Sequence, residues 1–183
     1  MMLTRESNID QERLTGLLAA SAEMVFSVML KEQPRAMTPA SKADGDVLHD
    51  GIISFIGLAG EWSGTGSVLC SGAAALSLAS RLLLIEAKAV DQEVLDAVGE
   101  ITNMIFGNFK DCVESYFGQL SLSTPSVIYG RHVRARDLPS ALTAIAAVEC
   151  GGEPIELKVC LSPARKSTSG AGVLVSSRYN GLR

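Results

Sequence analysis

The chain has 183 residues, of which 47% are hydrophobic, with 16 Lys and Arg against 20 Asp and Glu for a formal net charge of −4. This length and apolar content suit one domain that buries a full core without disulfide or metal staples. The acidic balance and the 5% aromatic content exclude the usual nucleic-acid binder, which needs cations for phosphate and rings for base stacking.

After an N-terminal tail over 1–11, Leu14, Leu17, Leu18, Met24, Val25, Val28 and Met29 recur at steps of three and four. That period predicts an amphipathic helix from Gln11 to Lys31, ended by Pro34. Glu32 to Asp50 carries Pro34, Pro39 and Gly45 and reads as a loop or a poorly formed edge strand. The runs 52–58 and 66–70 read as a hairpin turning around Gly60 and Gly64. Ser71 is the expected N-cap of a helix to Leu84, and Asp91 that of a long helix to about Tyr116. Strands are expected over Leu120–Tyr129 and over Thr143–Leu161, the second folded at Cys150-Gly151-Gly152, with a last one at Val173–Ser177. The fold class expected is α+β, a single domain with a largely antiparallel β-sheet and helices packed on it. The domain body spans 12–162, and 163–183 form its C-terminal strand and tail.

Several chemistries find no support. The two histidines, His49 and His132, lack partners at metal-ligand or triad spacing, so no metal site is expected. Cys70, Cys112, Cys150 and Cys160 form no C-x-x-C pair, and Cys70 and Cys112 are expected as core thiols. The charged start MMLTRESNID is unlike a signal peptide, and Arg81, Glu86 and Lys88 interrupt the most apolar region. A cytoplasmic protein that does not cross a membrane is therefore expected. The basic cluster Arg131–Arg136 reads as a solvated loop, and Gly64-Thr65-Gly66 lacks the lysine of a phosphate-binding loop.

The long helix is the informative segment. At about 100° of rotation per residue, Val94, Val98, Ile101, Ile105, Phe109, Cys112 and Tyr116 form one stripe, and Glu93, Asp96, Glu100, Asn103, Gly107, Lys110 and Glu114 the opposite one. Asn and Gly are poor helix formers, so Asn103 and Gly107 on one exposed stripe suggest a face that something approaches closely. Met104 at its border offers a soft apolar contact. Met104, Gly107 and Asp96 are accordingly candidate docking residues.

The run GEITNMIFGN over 99–108 resembles the signature of the CheC/CheX/FliY phosphatases, a Glu-x-x-Asn pair on a helix with a proline after 21 intervening residues. Counted from Asn103, that place is Pro125. The glycine-containing hairpin and Ala-rich helix before the motif fit too, and the resemblance covers about 12–162. CheC-type members carry a second Glu-x-x-Asn on the first helix; here Glu23 is followed by Phe26 where the Asn would stand, which makes the chain CheX-like with one motif.

The resemblance implies a phosphatase that hydrolyses the aspartyl phosphate of a CheY-like response regulator. Asn103 would position the water, Glu100 would anchor the receiver, and Pro125 would shape the strand start beside the helix. The only cofactor implied is Mg2+ in the phosphorylated receiver, with none of the chain's own. A homodimer is also implied. The alternative is a non-catalytic response-regulator-binding module of the same fold, in chemotaxis or another two-component pathway.

Overall fold

The computed structural model describes residues 9–40, 47–135 and 139–164. Helix α1 (Gln11–Met29) is followed by strands β1 (Arg35–Met37), β2 (Val47–Gly60) and β3 (Trp62–Cys70), helices α2 (Gly72–Leu83) and α3 (Gln92–Phe117), and strands β4 (Leu120–Leu122), β5 (Ser126–Ala135), β6 (Leu142–Cys150) and β7 (Glu153–Pro163). Among the described residues seven strands form one sheet in the order β1-β6-β7-β3-β2-β4, with β5 also on β2, and every pairing is antiparallel. This is the expected α+β single domain.

The helices share one face of the sheet. Strand alternation sends Ile155, Leu157, Val159 and Leu161 of β7 and Ala144, Ala146 and Val148 of β6 into a core with Leu14, Leu18 and Phe26 of α1. α1 packs on β6, while α3 lies against α1, α2 and strands β2 to β5. Asp10, Ser71 and Asp91 cap the three helices, each side chain accepting a backbone N–H three residues on. The hairpin forms as expected: its last paired residues are Leu58 and Gly64.

Four expectations need correction. The first helix stops at Met29, two residues short of Lys31 and well before Pro34, because Lys31 turns the chain with φ 54°. The segment expected as one strand over Leu120–Tyr129 is broken at 123–125: Pro125 has no N–H to give a ladder and holds Thr124 away from regular pairing. The basic cluster is strand rather than loop as far as Ala135, β5 pairing with β2 across a register shift between His49 and Gly51 where His132 takes φ 53°. Arg136 and the strand expected at Val173–Ser177 lie outside the described residues.

The fourth correction concerns the buried stripe of α3. Cys112 is exposed and Tyr116 only half-buried, and Val113 and Phe117 take the core positions. The sheet beneath twists, so the contact line winds round the helix toward Trp62, whose ring centroid lies 4.9 Å from that of Phe117. Cys70 is buried as expected. Burial pushes its thiol up to about 12, and that of Cys150 to about 11, so both stay protonated and poor nucleophiles near neutral pH.

α3 is seated by a glycine in the sheet. A Cβ at Gly66 of β3 would stand 2.3 Å from Cε1 of Phe106, so the ring fills the space a side chain there would take. Phe106 is fully buried and packs edge-on against Phe109, with centroids 6.1 Å apart. Nearer the N-terminus, a Cβ at Gly99 would touch Val127 of β5 at 3.4 Å. These two contacts fix how α3 lies over β3 and β5, and hence where its outer face points.

Candidate functional site

Along α3 the polar stripe expected from helical rotation faces outward: Glu93, Asp96, Glu100 and Asn103 are all exposed. Glu100 and Asn103 are three residues apart, so their side chains leave the same face as neighbours. Among the described residues, neither makes a hydrogen bond or ion pair, which leaves a carboxylate and an amide available to a partner. Asp96 lies one turn earlier, its Oδ1 accepting from Nε2 of Gln92 at 2.7 Å.

Glu100 and Asn103 form one wall of a hollow of about 420 Å3 whose other wall is the β4–β5 connection, including Ser123, Thr124 and Pro125. Pro125, which the resemblance implies by its distance from Asn103, thus stands across this hollow from the Glu–Asn pair. Ser123 pins that wall. Its Oγ accepts from the Gly57 N–H at 2.8 Å and donates to the Thr124 carbonyl at 3.0 Å, and its own N–H donates to the Gly57 carbonyl at 3.0 Å. Sequence reasoning passed over Ser123; a serine two residues before a proline, at the end of a strand, was the available signal.

The docking candidates divide. Gly107 sits one turn beyond Asn103 with nothing within 4 Å of where its Cβ would be, so the surface there is open. Met104 is half-buried, packed against the core. Lys110 is engaged by Asp111 at 3.0 Å and Glu114 at 3.3 Å, and these carboxylates, Asp111 foremost, hold its ammonium above its ordinary range. On α1, Glu23 is exposed but Phe26 is fully buried. Among the described residues no group of three or more His, Cys, Asp or Glu could hold a metal ion, and no helix is long and apolar enough to cross a membrane.

Three helices on one face of an antiparallel sheet, with a Glu-x-x-Asn pair on the longest, define a protein of the CheC/CheX/FliY class. The family model described as chemotaxis phosphatase CheX matches residues 52–147, more than half of the chain, and the protein belongs to that family. The fold is similar to CheX of Vibrio vulnificus (23% identity, TM-score 0.71, 81% of this chain and 99% of that one). It is similar to CheX of Desulfovibrio desulfuricans (23%, 0.72, 81% and 99%). It also resembles a chain of the CheX–CheY–BeF3–Mg2+ complex from Borrelia burgdorferi (23%, 0.70, 85% and 99%). No curated protein matches the chain in sequence.

Proposed function

We propose that the protein hydrolyses the aspartyl phosphate of a CheY-like response regulator in the cytoplasm, Asn103 positioning the attacking water and Glu100 anchoring the receiver. The observation that carries this is the exposed, unengaged Glu100–Asn103 pair facing Pro125 across one hollow on a rigid helix. Family membership supports it, as does the Borrelia CheX relative in complex with CheY, BeF3 and Mg2+.

The chemistry asked of this chain is small. Water oxygen bonds to phosphorus as the bond from phosphorus to the aspartyl oxygen breaks, giving the free carboxylate and inorganic phosphate, with the water proton passing to phosphate or solvent. Mg2+ held by the receiver would neutralise phosphoryl charge. The Asn103 carbonyl can accept from the water while its NH2 group donates to a phosphoryl oxygen, which sets the in-line approach. An amide does not take up a proton at neutral pH, so the role is positioning and not general base catalysis. Glu100 would pair with a receiver lysine beside the phosphorylation site through a charge-assisted bond.

The test is the decay of phosphorylated CheY-like receivers with and without the protein. Faster decay of one of them supports the proposal. A receiver that binds without faster decay would instead establish the non-catalytic binding module.

Gly107→Leu is expected to keep the fold, because the site is open and Leu is a better helix former than Gly by about 0.8 kcal/mol, yet to obstruct the receiver by bulk. Circular dichroism unchanged with receiver binding weakened is the expected pair of results. A homodimer belongs to the same proposal: β1 at one end of the sheet is three exposed residues whose outer edge could pair with a second copy. Sedimentation velocity tests it.

A further inference from the structure

The connection from α2 to α3 is a strained and wetted piece of surface. Leu84 caps α2 in the left-handed region, at φ 57° and ψ 41°, a backbone conformation that favours Gly or Asn. Its side chain is 90% exposed, and its neighbours Leu83 and Ile85 are exposed at 37% and 41%. The turn is not slack. The Ser80 carbonyl accepts from the N–H groups of Leu84 and Ile85, the latter at 3.1 Å, and the Ser80 hydroxyl accepts from the Ala87 N–H at 3.0 Å. Glycine would make the same backbone bonds without strain, so stability alone does not account for leucine here.

The turn adjoins the Glu–Asn face through Leu83. Leu83 lines a second hollow, of about 560 Å3, together with Gln92, Glu93, Asp96, Ala97 and Glu100. It shares Asp96 and Glu100 with the hollow that holds Asn103 and Pro125, so these two carboxylates stand on α3 between the two hollows. Among the described residues, Glu93, Asp96 and Glu100 have no cation paired to them.

We infer that the Leu83–Ile85 knob and Glu93 are a second docking contact for the receiver, fitting an apolar patch flanked by Lys or Arg next to its phosphorylation site. This rests on the function proposed above and adds a division of labour to it. Glu100 and Asn103 address the phosphorylated aspartate and its surroundings, which receivers share, whereas the knob and Glu93 meet flanking surface that differs from one receiver to the next. An acid-lined surface repels a second copy of itself, and the Asp96 and Glu100 shared with the Glu100–Asn103 face point to the same partner.

The test uses each CheY-like receiver of the same organism, activated with beryllofluoride, titrated with wild type, Leu84→Asn and Glu93→Lys. Asn suits the left-handed backbone better, so Leu84→Asn is expected to raise Tm by about 2–4 °C while weakening receiver binding by about tenfold. A rise in Tm removes unfolding as the explanation. Glu93→Lys is expected to weaken binding and flatten its salt dependence. Wild-type binding with unchanged affinity in Leu84→Asn overturns the second contact and leaves the proposed function standing. Failure of wild type to bind any receiver overturns both. A changed sedimentation coefficient in Leu84→Asn with receiver affinity unchanged assigns the knob to a second copy of the chain and overturns the inference.

Discussion

Asn103→Ala is expected to abolish receiver dephosphorylation, a loss of about a hundredfold or more in rate, while leaving receiver binding nearly intact. The side chain is exposed and makes no hydrogen bond with other described residues, so its removal leaves no cavity and frees no buried group. Alanine is also the better helix former, so the variant should be at least as stable as the parent. What disappears is the one amide that can hold a water on the open face. Glu100→Ala should behave differently, weakening binding and turnover together, because the docked complex then lacks a charge-assisted bond on which both depend. The measurement is single-turnover phosphate release from a phosphorylated receiver, paired with a binding titration. Normal turnover by Asn103→Ala would sink the proposed mechanism.

Gly66→Ala is expected to be among the most damaging single-methyl changes in the protein. The added carbon would meet three atoms of the Phe106 ring at 2.3–2.6 Å, inside contact distance for any pair of carbons. Phe106 is fully buried beneath α3 with Phe109 beside it, so the ring cannot swing into solvent. Overpacking of this kind costs about 1–3 kcal/mol when the structure can shift and more when it cannot. The shift available is a lift of α3 from β3, which would also move Glu100 and Asn103 against the Ser123–Pro125 wall. Urea unfolding should therefore show lower stability together with reduced turnover. Phe106→Leu in the Gly66→Ala background should recover part of both, since the two positions share one space. Equal stability of Gly66→Ala and wild type would contradict this packing.

The sequence made the outer face of α3 readable because an isolated helix obeys its own period: one polar stripe, interrupted by Asn103 and Gly107, is enough to locate a candidate site. The caps at Ser71 and Asp91 were equally local, since each depends on a side chain three residues from the N–H it accepts. What escaped was set by distant neighbours. Cys112 lies on the right side of an ideal helix to be buried, yet the twisting sheet carries the contact line over to Val113 and Phe117. Ser123 gains its meaning from Gly57, 66 residues earlier, and Gly66 from Phe106. The length of β5 was hidden in the same way, because Val133–Ala135 are held in strand by their pairing with β2, beyond the irregularity at Arg131 and His132, rather than by any propensity of a basic run.

The burial of Phe26 bears on how such a protein can change over time. In the CheC kind of relative a second Glu-x-x-Asn stands on the first helix, and one substitution at Phe26 would restore its letters here. It would not restore its surface. Phe26 points into the core with Leu14 and Leu18, so an asparagine there would bury an amide where an aromatic ring had packed, and would present nothing to a receiver. Restoring the motif at Glu23 and Phe26 would require α1 to rotate about its axis, exchanging its apolar and polar faces at many positions together. The packing of the core thus closes this particular route to a second motif, and under the proposed function selection for faster dephosphorylation would act first on α3 and its surroundings.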